Sequence, residues 1–361
     1  MRERRVIISG GGTGGHIFPA LAVGQGLRKR DPGLRLIYVG SSRPLEKKIM
    51  EDHSVEFIPM KIEGLRGRGL KAARSWLLLP FSFLRSLVLI LRLRPALVIG
   101  MGGFSSGPIV LLASWLRIPT MILEQNLRPG FTNRVLRRWA RKAVVAFPNS
   151  LPHFRGKGVL LGNPVREEFY GLRPKQRDDK LTLLIFGGSQ GSRFLNQAVT
   201  AALPHLQAVR GGLRIFHQTG EADVEWVAAA YRSHQFSDAV AAPFFPDMAR
   251  YFEKSDIVIC RAGATTIAEL IAAKKPSILI PFAQAADDHQ TANARELERL
   301  GAAEVLPEKE ATPERLAGRI IFLGQHASEL ARMENSLLPL RTEGAADKIA
   351  ALGMELMEGE A

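Results

Sequence analysis

The chain of 361 residues contains one cysteine, Cys260. It can form neither an internal disulfide nor a cysteine metal site, which points to a reducing compartment. Aromatic residues make up only 7% of the sequence and form no stacking motif, so a nucleic-acid partner is not expected. There is no Asp-x-Asp pair. A metal-chelating sugar-nucleotide site is therefore not expected, and no cofactor is called for. No apolar run reaches the roughly 20 residues that a spanning helix needs. The longest, 76–91, has 16 residues and includes Pro80 and Arg85. A strand-like run begins at Arg5, which leaves no room for a signal peptide.

What the chain does have is apolar content, 46% of residues, enough for two cores in a chain of this length. Runs rich in Val, Ile and Leu without clear alternation predict parallel strands, covered on both faces, at 5–9, 34–39, 96–100, 119–123 and 143–146. Helical patterns lie between them, as at 18–29 and 130–140. The second half repeats the plan, with strands at 181–186, 213–218, 256–260 and 276–281 and helices at 192–206, 265–273 and 287–300. Strand–helix alternation twice over predicts two doubly wound α/β domains. The link between them is expected near Gly162-Asn163-Pro164 and the polar stretch 172–180. A helical pattern at 342–357 is expected to cross back to the first domain.

Charge is uneven about a net of +14. Residues 61–142 hold 15 Lys/Arg against Glu63 and Glu124, a net of +13, whereas residues 281–361 are net −7. A basic first half suits an anionic surface. Arg66, Arg68, Lys71 and Arg74 precede the apolar run 76–91, and Arg92 and Arg94 follow it. The run reads either as a core helix of the first domain or as an interfacial patch whose arginines meet anionic headgroups.

Three glycine-rich loops each follow a predicted strand. They read Gly10-Gly11-Gly12-Thr13-Gly14-Gly15-His16, Gly100-Met101-Gly102-Gly103-Phe104-Ser105-Ser106-Gly107 and Gly187-Gly188-Ser189-Gln190-Gly191-Ser192. Such loops let backbone N–H groups approach an anion, and the helix that follows favours negative charge. Gly10, Gly12 and Gly15 satisfy the dinucleotide spacing. The second strand, however, ends Gly40-Ser41-Ser42-Arg43 without the acid that would hold a ribose. Sugar-nucleotide chemistry therefore fits better than redox chemistry.

His16 opens a helix, where imidazolium is disfavoured, so it is either a neutral base or a packing residue. Glu269 lies one turn into the helix after Arg261-Ala262-Gly263-Ala264. It could accept two ribose hydroxyls, or be an ordinary first-turn acid. Asp287 is expected to cap the helix that follows it. Without a metal, a leaving diphosphate must be stabilised by loop N–H groups and helix dipoles.

These segments, joined by Gly64-Leu65-Arg66-Gly67, Glu124-Gln125-Asn126, Gly162-Asn163-Pro164-Val165-Arg166 and His289-Gln290 with Asn293, resemble the MurG-type peptidoglycan N-acetylglucosaminyltransferases of glycosyltransferase family 28. The likeness runs nearly end to end. It implies a GT-B fold of two Rossmann-like parallel-sheet domains facing a cleft. Residues 1–162 with a returning helix at 340–361 would form the acceptor and membrane-facing domain, and residues 163–339 the UDP-GlcNAc domain. It implies inverting, metal-independent transfer of GlcNAc from UDP-GlcNAc to the 4-hydroxyl of MurNAc in undecaprenyl-diphospho-MurNAc-pentapeptide (lipid I), giving lipid II. The enzyme would be peripheral on the cytoplasmic face of the bacterial plasma membrane, touching its anionic surface and proteins of wall synthesis and division.

The resemblance also implies roles for single residues. Thr13, Gly14 and Gly15 would lie beside the donor's sugar and diphosphate, Asn126 on the donor, Arg166 near the uracil and Ser189 on a phosphate. Phe245 occupies a uracil-contact position that is often aliphatic, where a backbone contact would survive the change. Ala264, Thr265, Thr266, Ile267 and Ala268 would line the donor, with Glu269 on the ribose and Gln290 on the GlcNAc hydroxyls. Leu123 stands where many members carry histidine, which leaves His16 and Glu124 as base candidates. A related UDP-sugar transferase acting on another lipid or natural-product acceptor is the alternative.

Overall fold

The Val/Ile/Leu runs form the central strands of two parallel sheets. The structure, a computed structural model, describes residues 3–11, 14–60, 70–173, 175, 178–188 and 190–359, with backbone alone for 14, 44–45, 70–79 and 286. Two compact units result: Met1–Val165 with Gly344–Ala361, and Arg166–Glu343.

In the first unit the chain runs β1 (Arg5–Ser9), α1 (Gly14–Arg30), β2 (Arg35–Ser41), α2 (Pro44–Asp52), β3 (Glu56–Met60), α3 (Leu70–Leu93), β4 (Leu97–Gly100), α4 (Ser106–Trp115), β5 (Thr120–Glu124), α5 (Phe131–Leu136), β6 (Lys142–Val145) and β7 (Gly158–Leu160). The second unit runs β8 (Leu181–Phe186), α6 (Arg193–Ala202), β9 (Leu213–Gln218), α7 (Val224–Ser233), β10 (Ala239–Ala242), α8 (Met248–Lys254), β11 (Ile257–Cys260), α9 (Ala264–Ala273), β12 (Ser277–Leu279), α10 (His289–Arg299), β13 (Ala303–Val305), α11 (Pro313–Gln325) and α12 (Ala327–Leu337). A last helix, α13 (Ala345–Glu358), belongs to the first unit.

Both sheets are parallel throughout, ordered β3-β2-β1-β4-β5-β6-β7 and β10-β9-β8-β11-β12-β13. Side chains of β1 alternate between two cores. Val6 and Ile8 join Leu27 of α1 and Ile349 and Leu356 of α13. Ile7 faces the other layer with Ile90, Ile109 and Leu136. A strand covered on both faces favours apolar residues on both of them, which is why these runs do not alternate.

Nine strands match the sequence expectation to within two residues at each end. The four it missed, β3, β7, β10 and β13, are the four sheet edges. They are three to five residues long and partly exposed, so little apolar signal marks them. Helix α6 stops at Ala202 and continues as a 3-10 segment from Leu203, with Pro204 at its start. Asp287 is not the cap of α10: it and Asp288 are left-handed (φ 54° and 52°), the helix begins at His289, and Asp288 in the cap position makes no side-chain capping bond.

Leu356 of α13 is fully buried among strands β1 and β4 and helix α1. Leu356→Ala should destabilise the first unit by about 2–5 kcal/mol, the usual cost of a buried leucine truncation. Hydrogen exchange should show protection falling in β1, β4 and α1 and holding in β8 and β9; an equal fall in both units would contradict this.

Candidate functional site

The predicted site residues fall into two groups, one in each unit. Each group sits at the carboxyl ends of central strands, where parallel α/β sheets place their ligand loops.

In the first unit the loops after β1, β4 and β5 nest together. Met101 N donates to Ser9 O (2.7 Å) and Gly10 N to Val39 O (3.0 Å). Ser9 Oγ donates to Ser105 O at 3.1 Å. The loop after β1 feeds directly into α1, so Gly14, Gly15 and His16 form its first turn. His16 lies against the second loop: a Cβ on Gly102 would come 3.1 Å from its Nε2. Gly102 has φ +94°, a conformation that disfavours any side chain. Gly12, Thr13 and the segment Gly64–Gly67 lie outside the described residues.

Glu124, at the end of β5, is 3% exposed. Its Oε1 accepts from Asn126 N (3.0 Å) and Asn126 Nδ2 (3.2 Å). Its Oε2 accepts from Gly130 N (3.0 Å) and Asn133 Nδ2 (2.9 Å). Burial pushes its carboxyl above the usual range, against the pull of these four bonds. The carboxylate thus folds the loop that carries Asn126. Gln125, buried, donates from Nε2 to Met101 O at 3.0 Å and pins the second glycine loop. Glu46 of α2, buried beside Gly11 and Gly40, accepts from Ser41 N and Ser41 Oγ. Sequence reasoning passed over Gln125 and Glu46, since a buried Gln or Glu carries no pattern until its partners are known.

In the second unit the third glycine loop packs on the loop after β9. A Cβ on Gly191 (φ +74°) would fall 1.8 Å from Thr219 O, so only glycine fits. Ser189 lies outside the described residues. Gln218 ties two expected ligand positions together: its Nε2 donates to Gly188 O (2.9 Å), and its Oε1 accepts from Phe245 N (2.8 Å). The Phe245 ring is buried and stacks on Tyr251 at 3.9 Å. What Phe245 can offer a ligand is therefore its carbonyl oxygen.

Arg261 is a second organiser missed in the sequence. Its Nε donates to Ser192 Oγ (3.1 Å), and its Nη1 reaches Ile280 O (3.1 Å), Pro281 O (3.2 Å) and Glu308 Oε1 (2.7 Å). It joins the third loop to the end of β12.

Helix α9 begins at Ala264 after Gly263, and no side chain caps it. Ala264, Thr265, Thr266, Ile267 and Ala268 form its first turns, and Glu269 follows with its side chain 14% exposed. Arg166 Nη2 stands 3.6 Å from Glu269 Oε1, and its Nη1 lies 3.0 Å from Glu168. Burial pushes Glu269 up to about 7, while Arg166 pulls the other way. Gln290 Oε1 accepts from Phe282 N at 2.9 Å, which leaves its amide NH2 to meet a ligand. Asn293, one turn on, donates to Ala262 O at 3.4 Å, so α9 and α10 start side by side. The structure thus brings Arg166 to Glu269 and sets Gln290 on the neighbouring helix.

The sequence matches the models of two domains: the glycosyltransferase family 28 N-terminal domain over residues 6–145 and the glycosyltransferase family 28 C-terminal domain over residues 182–350. The UDP-N-acetylglucosamine–N-acetylmuramyl-(pentapeptide) pyrophosphoryl-undecaprenol N-acetylglucosamine transferase of Syntrophus aciditrophicus (strain SB) is 44% identical over 349 residues, 96% of each chain. The protein of the same name from Anaeromyxobacter sp. (strain Fw109-5) is 43% identical over 358 residues, 98% of this chain and 93% of its own. Among solved structures, Acinetobacter baumannii MurG superposes with a TM-score of 0.79 at 30% identity, covering 98% of this chain and 99% of its own. With both domain models and full-length relatives in agreement, the chain belongs to glycosyltransferase family 28.

Proposed function

We propose that the chain transfers GlcNAc from UDP-GlcNAc to the 4-hydroxyl of MurNAc in undecaprenyl-diphospho-MurNAc-pentapeptide, converting lipid I to lipid II. The observation that carries this reading is the likeness to relatives of that name, 44% identical across 96% of both chains.

The second unit holds the donor. The uncapped start of α9 offers N–H groups and a positive helix end to the diphosphate. Glu269 accepts the ribose hydroxyls beside Arg166, the carbonyl of Phe245 meets the uracil, and Gln290 reads the sugar. Gln218 and Arg261 keep these loops in place. The resemblance assigns Ser189 and Thr13 to the donor as well; both lie outside the described residues.

His16 is the base. It takes the proton of the acceptor 4-hydroxyl as that oxygen attacks the anomeric carbon. The C1–O bond to the diphosphate breaks, and UDP leaves with the bonding pair into the α9 N–H groups. Configuration at C1 inverts to β. Glu124, with two donors on each oxygen, is a positioning residue that shapes the Asn126 loop.

A lipid-linked acceptor puts the enzyme at the bilayer, on its cytoplasmic side. No helix among the described residues is long and apolar enough to cross a membrane. The exposed face of α3 supports peripheral contact. Among its described side chains Ser82, Ser86 and Ile90 are buried, whereas Phe81 and Leu84 are 70% and 60% exposed. Exposed Arg85, Arg92 and Arg94 flank this face, each able to add about 1 kcal/mol at an anionic surface.

Glu269→Ala should weaken UDP and UDP-GlcNAc alike, by about 1.5–3 kcal/mol for a lost charge-assisted contact. Gln290→Ala should weaken UDP-GlcNAc and spare UDP. Calorimetry with both ligands separates the two, and identical patterns would sink the assignment.

The ribose hydroxyls donate to the ionised carboxylate. Because Glu269 titrates at about 7, UDP-GlcNAc affinity should be level above that pH and fall up to about tenfold per unit below it. Glu269→Gln should flatten the profile; an unchanged slope in that variant would assign the titration to another group.

His16→Ala should cut turnover by roughly 10²–10⁴-fold while donor affinity stays near normal. Turnover within a few-fold of wild type would make His16 a packing residue.

A further inference from the structure

Helix α5 carries an apolar row that no core claims. Phe131, Val135 and Trp139 recur every fourth residue and are 44%, 43% and 48% exposed, whereas Asn133, Leu136 and Ala140 are buried. Helical bonding continues past Leu136, with Arg137 N on Asn133 O and Ala140 N on Leu136 O, both at 2.9 Å. The three side chains therefore share one face, about 12 Å from first to last at the helical rise. Arg134 and Arg138, both exposed, line its edge.

The two ends of the row differ. Phe131 follows Gly130, whose N–H is held by Glu124. The next residue, Thr132, has its methyl 3.6 Å from where a Cβ on Gly107 would lie. The row thus starts at the second glycine loop, at the head of α4. It ends where Trp139 packs edge to face on Trp115 at 5.8 Å. Trp115 and Leu116 close α4 and are exposed in turn.

We propose that this row is the track along which the acceptor's polyprenyl chain leaves the site. The inference rests on the acceptor reading above and takes the second glycine loop, Gly100–Gly107, which leads into α4, as the seat of the acceptor's diphosphate. A hydrocarbon esterified to that diphosphate emerges where Phe131 stands. Along the row it meets apolar side chains in place of water. Arg134 and Arg138 complement the diphosphate behind it and the anionic headgroups ahead. The Trp115–Trp139 pair, apolar rings with a polar N–H, suits the point where the chain enters the bilayer. A soluble protein rarely leaves a contiguous run of large apolar side chains without such a use.

The test compares two soluble acceptors with the same diphospho-MurNAc-peptide, one esterified to a short polyprenyl chain and the other to an ethyl group. The variant is Phe131→Ser/Val135→Ser/Trp139→Ser. Its UDP-GlcNAc affinity and melting temperature report that it is folded. The expected result is a KM for the prenyl acceptor raised about tenfold, the size expected from losing burial of about two methylene equivalents. KM for the ethyl acceptor and kcat for both should hold within about twofold. Phe131→Leu/Val135→Leu, which keeps the row apolar, should retain the wild-type KM. An equal rise for both acceptors would overturn the track and make the row part of the sugar site. Lost vesicle binding with an unchanged prenyl KM would overturn it in favour of bilayer contact alone. If the wild type turned over neither acceptor, the acceptor reading would fall, and the track with it.

Discussion

Everything at the two sites depends on backbone lying against backbone at the carboxyl ends of parallel strands. A Cβ on Gly10 would fall 2.5 Å from Met101 Cβ, and one on Gly220 would fall 2.2 Å from Gln190 O. Neighbouring loops can interleave this closely only where side chains are missing. Glycine is used here for proximity as much as for dihedral freedom.

Loops this bare have few side chains of their own to hold them, and buried polar groups from neighbouring segments do so instead. Gln125 fixes Met101, Gln218 joins Gly188 to Phe245, Arg261 joins Ser192 to Ile280 and Pro281, and Glu124 gathers four donors around one turn. Each such group is costly to bury unless its bonds are made. The loops are therefore held in one arrangement before any ligand arrives, and binding need not supply that order.

The sequence disclosed what is buried twice over and hid what is buried once. Central strands such as β1 and β8, buried along nearly their whole length, were legible to the residue. The four edge strands were not, because AVAA in β10 or AEV in β13 has neither length nor pattern. Helix α3 was ambiguous for a related reason: an apolar run looks like core throughout until one face, with Ser82, Ser86 and Ile90, proves buried and the other, with Phe81 and Leu84, exposed. At the sites, Glu269 could be picked out by its carboxylate and Arg166 by the resemblance, and the structure sets the two 3.6 Å apart. Gln218 and Gln125 could not, since an amide's role is fixed only by the carbonyls that the fold brings to it. The Phe245 ring, whose packing the sequence does not show, is spent on Tyr251.

The return of α13 to the first unit has a consequence for biogenesis. Residues Arg166–Glu343 form an insertion between β7 and the last helix of the unit they interrupt. On the ribosome the second unit is complete and free to fold while Leu27, Leu97 and Ile99 still lack the Ile349 and Leu356 that cover them. The domain begun first is thus finished last. Until the final helix emerges, its uncovered sheet face is exposed to chaperones and to neighbouring nascent chains.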